Sequence, residues 1–120
     1  MSLYCKLFIE TTLNINELCE LVANAVGGEI KPFDTIDSLY LDIDVILNDE
    51  YDEKLKHESN GFLFYKYYLD IEPVEGTAYR DYVSQVKLLI GFLREKGFKA
   101  IPACDFEDEL NEEKSYKEFM

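Results

Sequence analysis

The chain has 120 residues, of which 48% are hydrophobic, and its 25 acidic and 12 basic residues give a formal net charge of −13. A single domain of this length buries a real hydrophobic core, so the composition excludes a globally disordered chain. The negative charge disfavours binding to nucleic acid and to anionic membranes, which need basic surface, and it favours a cationic protein partner. Acidity that serves only solubility is the alternative explanation of this charge.

The cysteines and the hydropathy pattern predict a cytoplasmic protein. The three cysteines, Cys5, Cys19 and Cys104, form no Cys-x-x-Cys pair, and no signal segment is recognisable at the N-terminus. We therefore expect free thiols that act as small buried hydrophobic residues in a reducing compartment. The apolar runs are far shorter than the about 20 residues that span a bilayer, so no membrane insertion is expected.

The first predicted elements are a strand and a capped helix. Apolar and polar residues alternate over residues 3–10, which is typical of a strand with one buried face. Asn14 and Glu17 have the spacing of a capping box, in which each side chain accepts a hydrogen bond from the other residue's backbone N–H. Apolar residues then recur at helical spacing, which predicts a helix over residues 15–26 that ends at Gly27.

Two strands are predicted to follow this helix. Residues 29–36 indicate a weaker strand, and Pro32 within it favours a sheet edge or an irregular entry. Residues 39–48 alternate almost without interruption. Those predicted to face the core are Leu39, Leu41, Ile43, Val45 and Leu47, and those predicted to face outward are Tyr40, Asp42, Asp44, Ile46 and Asn48. Because Asp and Asn are poor strand formers, the outward face is expected to meet water or a polar partner.

The stretch 62–73 is expected to be the central strand. It is aromatic and β-prone, and nothing in it interrupts a strand before Pro73. Its odd-numbered residues from Leu63 to Ile71 can fill a core, while its even-numbered residues become mixed aromatic and acidic towards the end. Residues 48–61, which precede it, form a hydrophilic loop that is long for a hairpin.

The last predicted elements are a second helix and a final strand. An apolar stripe predicts a helix that begins after Gly76 and ends at Gly97. Residues 98–106 return as a strand that Pro102 interrupts, and a charged tail follows over residues 111–120.

The predicted element order, β-α-β-β-β-α-β, is that of an α+β fold. We expect a two-layer, ferredoxin-like sandwich with an about five-stranded, mainly antiparallel sheet and two helices on one face. One domain is predicted over residues 1–110, followed by the tail. The pattern leaves open which face of the sheet the helices cover.

Motifs for catalysis are scarce. His57 is the single histidine and lies in the solvated acidic loop, where a bystander is expected rather than a general base. No phosphate loop or metalloprotease motif is found, so we predict neither catalytic residues nor a cofactor. Cys104, beside Asp105, is considered as a reactive thiol, but acidic neighbours would raise its pKa, so a buried structural cysteine is favoured.

Carboxylates form the most distinctive pattern. Asp42 and Asp44 project from one predicted strand, and Asp70 and Glu72 project from its expected neighbour. Four such groups have the oxygen ligands that Ca²⁺ or Mg²⁺ requires, but the glycine of a calcium loop is missing. A solvated sheet face is therefore favoured over a metal site.

Aromatic residues near these carboxylates favour a protein-binding surface. Aromatic side chains bury a large area at low entropic cost, and acidic neighbours select basic partners. Phe62 and Phe64 extend this surface, unless they belong to the core. The residues predicted to bind the partner are Tyr40, Asp42, Asp44, Asp49, Glu50, Asp52, Glu53, Tyr68, Asp70 and Glu72.

Three segments carry a resemblance to a known group of proteins. They read GGEI at 27–30, GFLFYKYYLDIEP at 61–73 and KAIPACDFEDEL at 99–110. Together they resemble small acidic bacterial proteins that look like immunity proteins of polymorphic toxin systems. The resemblance implies a cytosolic inhibitor that binds its cognate toxin domain, without a catalytic role for any motif residue, and it does not extend beyond Leu110.

We therefore predict an immunity-type binding protein, not an enzyme, that neutralises a bacterial toxin through its acidic and aromatic surface. A nuclease toxin would offer a basic substrate groove to this surface. The alternative prediction is a ferredoxin-like regulatory or small-ligand-binding domain without catalytic activity, and a homodimer is left open. A carboxylate-metal hydrolase ranks last.

Overall fold

Strands with one apolar face and two amphipathic helices pack into an α+β fold. The computed structural model describes residues 2–110, and the predicted tail, 111–120, lies outside them. The strands are β1 (Cys5–Glu10), β2 (Glu29–Lys31), β3 (Thr35–Asp37), β4 (Leu41–Leu47), β5 (Tyr67–Pro73) and β6 (Lys99–Cys104). The helices are α1 (Ile15–Val26), α2 (Tyr79–Glu95) and α3 (Glu107–Leu110), and two short 3₁₀ turns, Leu55–His57 and Gly61–Phe64, lie between β4 and β5.

β5 lies inside an antiparallel sheet. The strand order is β2-β3-β4-β5-β1-β6, and each neighbouring pair is antiparallel. The α+β class and the interior position of the strand that ends at Pro73 are thereby confirmed. Within residues 2–110 the sheet has six strands rather than the expected five, and α3 is an additional short helix.

Both long helices cover the same face of the sheet. Residues such as Leu18 and Val22 of α1 and Val86 and Leu93 of α2 are fully buried against it. The residues of the covered sheet face are Cys5, Leu7, Ile9, Ile36, Leu41, Ile43, Val45, Tyr67, Leu69, Ile71 and Ala100, all buried. Burial of one large aliphatic side chain contributes roughly 1.5–3 kcal/mol, so this layer is the main source of stability.

The first helix has the predicted caps. The Asn14 Oδ1 accepts a hydrogen bond from the Glu17 N–H at 2.9 Å, and the Glu17 Oε1 accepts one from the Asn14 N–H at 3.0 Å. Gly27 ends the helix in the left-handed region, with φ of 64°, which favours a residue without a Cβ. The predicted boundaries of this helix, residues 15–26, are confirmed.

The single strand predicted over residues 29–36 is wrong, because this segment is a hairpin. β2 and β3 pair with each other, with Ile30 opposite Ile36, and three residues turn the chain between them. In this turn Phe33 and Asp34 take left-handed φ angles of 64° and 58°. Left-handed backbone is uncommon for a residue such as phenylalanine, so the sequence does not predict this turn.

The strand predicted over residues 62–73 is too long. Only its second half, β5, pairs in the sheet, whereas Gly61–Phe64 forms a 3₁₀ turn. The reason is Asn48, which was predicted to face outward but is buried. Its Nδ2 donates hydrogen bonds to the carbonyls of Leu63 at 3.0 Å and Tyr65 at 2.8 Å. The Asn48 side chain therefore binds the backbone carbonyls that a neighbouring strand would otherwise have bound.

Three leucines predicted to face the core are exposed instead. Leu39, Leu47 and Leu63 are 75%, 55% and 44% exposed. Leu39 lies in the turn before β4, Leu47 is the last residue of that strand, and Leu63 belongs to the 3₁₀ turn. Alternation along a strand does not apply to residues at or beyond its ends.

The last strand continues through Pro102 instead of being broken there. β6 is an edge strand that pairs only with β1, so a residue without an N–H is tolerated within it. The guanidinium of Arg94 donates hydrogen bonds from Nε and Nη2 to the Ala100 carbonyl at 3.1 and 2.7 Å. Both features protect this edge of the sheet from pairing with another chain.

Gly61 and Gly91 form a matched pair for testing the loop between β4 and β5. A Cβ at Gly61 would lie 2.2 Å from the Lys56 carbonyl oxygen, whereas a Cβ at Gly91 of α2 would meet no atom within 4 Å. We expect Gly61→Ala to lower the free energy of unfolding by more than about 1 kcal/mol, because backbone must move. Gly91→Ala should raise it by about 0.5–1 kcal/mol through helix propensity. Urea unfolding measures both, and a Gly61→Ala variant as stable as the parent would contradict the loop packing.

Candidate functional site

The sheet face that the helices leave open carries the four predicted carboxylates. Side chains alternate along a strand, so the residues between the buried ones on β4 and β5 point to this open face. The register places Asp42 directly opposite Glu72, and Asp44 directly opposite Asp70. The predicted proximity of the four carboxylates is confirmed, whereas their role in binding stays a prediction.

A row of carboxylates crosses four adjacent strands of the open face. Asp37 of β3 lies opposite Asp42, and Glu29 of β2 lies opposite Asp37. We call the row Glu29, Asp37, Asp42 and Glu72 the acidic ladder. Neighbouring strands lie about 4.7–4.9 Å apart, so the ladder is roughly 15 Å long. All four residues are exposed, and of these four only Glu29 has an ion-pair partner within residues 2–110, Lys31 at 3.3 Å.

The neighbouring row of the open face is partly neutralised. Asp44 accepts a hydrogen bond from the Thr35 hydroxyl at 2.8 Å, and Asp70 accepts one from the Tyr4 hydroxyl. Burial, reinforced by the hydrogen bond to Asp70, raises the pKa of Tyr4, so this phenol remains a protonated donor. Lys6 of β1 lies opposite Asp70 and supplies a cation to this row.

An aromatic cluster, Phe8, Phe62 and Tyr68, borders these rows. Phe8 and Tyr68 lie opposite each other on β1 and β5 with ring centroids 6.0 Å apart, and Phe62 packs edge-on against Phe8 at 5.4 Å. The Lys6 Nζ lies 4.1 Å from the centroid of the Tyr68 ring, a cation–π contact. Phe8 is buried and Tyr68 is half-buried, so Tyr68 is the more accessible ring of this strand pair.

The acidic loop offers fewer open carboxylates than the sequence suggests. Asp49 and Glu50 are exposed. Asp52, however, caps the first 3₁₀ turn, because its Oδ1 accepts hydrogen bonds from the N–H groups of Lys54 at 2.8 Å and Leu55 at 2.9 Å. A partner would have to compete with these bonds for the Asp52 carboxylate.

Glu53 also has partners inside the loop. Its carboxylate lies 2.8 Å from the Lys56 Nζ and accepts a hydrogen bond from the Tyr51 hydroxyl at 2.5 Å. Lys56 in turn pairs with Glu10 of β1 at 2.9 Å, which ties the loop to the sheet. Asp52 and Glu53 are therefore weaker binding candidates than the acidic ladder.

Tyr40 lies apart from the aromatic cluster. It precedes β4, is half-buried and packs against the hydrophobic core. Its carbonyl accepts a hydrogen bond from the Val74 N–H at 3.0 Å, beyond the end of β5 that is remote from Tyr68. The structure therefore does not bring Tyr40 and Tyr68 together.

Several residues of this face are absent from the predicted partner-binding set. Among them are Glu29 and Asp37 of the ladder, and Tyr4, Lys6 and Phe8 beside Asp70 and Tyr68. The alternation of the first strand already placed its residues on two faces. The strand order, which brings β1 beside β5 and β3 beside β4, was the missing information.

The carboxylates of the open face are not arranged around a point. In the described range of the chain, no group of three or more His, Cys, Asp or Glu side chains is placed to hold a metal ion. The ladder distributes its carboxylates along a line, whereas Ca²⁺ requires six to eight oxygen ligands around it.

A groove of about 820 Å³ lies in the helix layer. Its apolar lining comes from Ala25 of α1 and from Tyr79, Val83, Leu88 and Phe92 of α2. At its edge the Tyr79 hydroxyl donates a hydrogen bond to Glu109, which raises the pKa of Tyr79 to about 12. Because this groove belongs to the helix layer, it is a separate surface from the acidic ladder.

No protein-family model matches the chain, and no curated protein or solved structure is significantly similar to it. None of the helices within residues 2–110 combines the length and the apolar character needed to cross a bilayer. The fold and the site define the chain as an α+β protein whose sheet has one helix-covered face and one acidic, aromatic face.

The acidic ladder should weaken the fold that carries it. Like charges directly opposite each other destabilise a sheet, by an amount that ranges from a few tenths to about 1 kcal/mol. We expect Asp42→Asn, which removes the charge between Asp37 and Glu72, to raise the melting temperature by a few degrees at low salt. The gain should shrink at 0.5 M salt, because salt screens exposed charges.

Glu50→Gln is the control for this test, since Glu50 is an exposed loop carboxylate that lies outside the ladder. Thermal unfolding of both variants at low and high salt gives the comparison. A melting temperature of Asp42→Asn that matches Glu50→Gln at every salt concentration would show that the ladder carries no repulsion.

Proposed function

We propose that the chain is an immunity-type binding protein that neutralises a cationic toxin domain through the open face of its sheet. The observation that carries this proposal is the acidic ladder: four exposed carboxylates aligned on adjacent strands, three of which have no ion-pair partner in residues 2–110. A partner that places cations along this row would relieve the repulsion between the carboxylates and gain charge-assisted contacts.

Charge and the aromatic cluster would have different tasks in such a complex. Long-range attraction by the −13 chain would accelerate encounter with a basic partner, at a rate that falls with ionic strength. Tyr68, the accessible ring beside Lys6 and Asp70, would supply contact area at the edge of the charged rows. A nuclease is the favoured kind of toxin, because its substrate groove is basic and the carboxylates would stand in for phosphates.

We also propose that four of the strands form the ferredoxin-like arrangement. In the sheet they occur in the order β6-β1-β5-β4, with α1 directly after β1 and α2 directly after β5. The hairpin β2-β3 would then be an addition that lengthens the sheet beyond β4. This addition contributes Glu29 and Asp37, which are half of the acidic ladder.

Charge reversal on the open face tests the proposed function. We expect Asp42→Lys combined with Asp44→Lys to slow association with the toxin domain encoded immediately upstream by tenfold or more at low salt, and to flatten its dependence on salt, since steering by opposite charge is lost. Surface plasmon resonance with a catalytically inactive toxin domain measures both rates.

The matched control is Glu20→Lys combined with Glu75→Lys, which changes the net charge equally at exposed residues outside the open face. If both double variants slowed association to the same extent, net charge and not the open face would govern binding. Full protection of toxin-expressing cells by Asp42→Lys/Asp44→Lys would also count against the proposal.

The groove of the helix layer supports a second candidate, a small-ligand-binding domain. Its lining is largely apolar, and its charged residues are Arg80, Lys87, Glu95 and Glu109, so it would suit a small and mainly apolar ligand. We expect the anionic dye 1-anilinonaphthalene-8-sulfonate to bind the folded protein, and Leu88→Glu to weaken that binding several-fold. The absence of dye fluorescence with the folded parent protein would remove this candidate, whereas the absence of an upstream toxin gene would favour it.

A further inference from the structure

Two of the cysteines lie directly opposite each other on neighbouring strands. Cys5 is the first residue of β1, Cys104 is the last residue of β6, and the antiparallel register pairs them. Residues paired in this way point to the same side of the sheet. All three cysteines of the chain are free thiols in this structure.

The geometry of such a pair matches that of a disulfide. Directly opposite residues of antiparallel strands have Cα atoms about 4.5 or 5.5 Å apart, and a disulfide spans Cα separations of about 4.4–6.8 Å. The corresponding Cβ separation, about 4.5–5.5 Å, lies at or just above the range of 3.5–4.5 Å that a disulfide prefers. Closing the bond would draw the two Cβ atoms together by at most about 1 Å.

The two thiols differ in accessibility. Cys5 is fully buried, whereas Cys104 is half-buried at the end of its strand. The backbone after Cys104 turns into α3, and the Cys104 N–H donates a hydrogen bond to the Glu107 carboxylate at 3.1 Å. An oxidant therefore meets Cys104 first. Cys5, behind it, is positioned as the resolving thiol.

We propose that Cys5 and Cys104 are a disulfide-forming pair, which a low-molecular-weight disulfide such as oxidised glutathione converts into an intramolecular bond between β1 and β6. In the first step the Cys104 thiolate attacks one sulfur of the oxidant, which forms a mixed disulfide and releases one thiolate. In the second step the Cys5 thiolate attacks the Cys104 sulfur and releases the other. The two cysteine protons end on the two released thiols, so two cysteines are oxidised and one oxidant molecule is reduced.

The surroundings of the two thiols slow the thiol–disulfide exchange, and the disulfide that forms can be reduced again. Burial is the main cause that raises the pKa of both thiols, and nearby Glu107 adds to it, so little thiolate is present at neutral pH. A bond whose Cβ atoms are drawn slightly together carries strain, and strained disulfides are more readily reduced. The pair therefore fits a modification that depends on the redox state of its surroundings.

The full-length protein is incubated with oxidised glutathione for hours, and free thiols are counted in denaturant. We expect the count to fall from three to one, with Cys5 and Cys104 in one cross-linked peptide and no intermolecular dimer. The bond would close a loop of nearly the whole described chain, so the melting temperature should rise on the order of 10 °C and return to its starting value after reduction.

Variants in which one cysteine is replaced decide the outcome. Cys19→Ala should leave the cross-link intact, because Cys19 lies on α1 and its thiol donates a hydrogen bond to Asp34 at 3.7 Å. Cys104→Ala should abolish the cross-link, and Cys5→Ala should leave only a mixed disulfide at Cys104. If Cys5→Ala does not fold because Cys5 is buried, the Cys104→Ala variant by itself tests whether the cross-link requires this pair. Three remaining thiols, a cross-link that includes Cys19, or a parent protein that stops at the mixed disulfide would overturn the proposal.

Discussion

The two faces of β5 are the constraint on which the rest of the structure depends. Leu69 and Ile71 lie in the core beneath the helices, and β4 and β1 flank them within the sheet. Their burial is worth roughly 1.5–3 kcal/mol each. A register shift of one residue would bury Asp70 and Glu72 in their place. Repulsion across the acidic ladder is weaker, at most about 1 kcal/mol per pair. The free energy of hydrophobic burial therefore exceeds the repulsion between the carboxylates, and the carboxylates are held on the open face.

This arrangement separates stability from the proposed binding function. The helix-covered face stabilises the fold, while the open face carries like charges that cost stability and find few partners within residues 2–110. Within that part of the chain, Asp44 and Asp70 accept hydrogen bonds from Thr35 and Tyr4, and Glu29 pairs with Lys31. The loop acids Asp52 and Glu53 are used to hold the loop together. The carboxylates that remain for a partner are those of the acidic ladder together with Asp49 and Glu50 of the loop.

Strand pairing aligns two thiols as well as the carboxylates. Cys5 and Cys104 are 99 positions apart in the chain and read individually as small buried residues, which is the interpretation their sequence context favours. Only the pairing of β1 with β6 brings them together. Because β6 is an edge strand, a covalent bond at this position would fix the end of the sheet where the chain leaves for α3. The proposed modification is independent of what binds to the open face.

The sequence by itself determined the local structure: the caps of α1 at Asn14 and Gly27, the stripe of α2, and the alternation that separates Asp42 from Ile43. These features follow from interactions between residues a few positions apart. Only the tertiary structure decided the strand order, the hairpin at residues 29–37 and the start of β5 at Tyr67. The strand order and the start of β5 depend on partners distant in the chain, such as the buried Asn48 amide, and on which strands meet when the apolar faces are buried together. The hairpin depends on left-handed backbone at Phe33 and Asp34, which a residue such as phenylalanine rarely adopts.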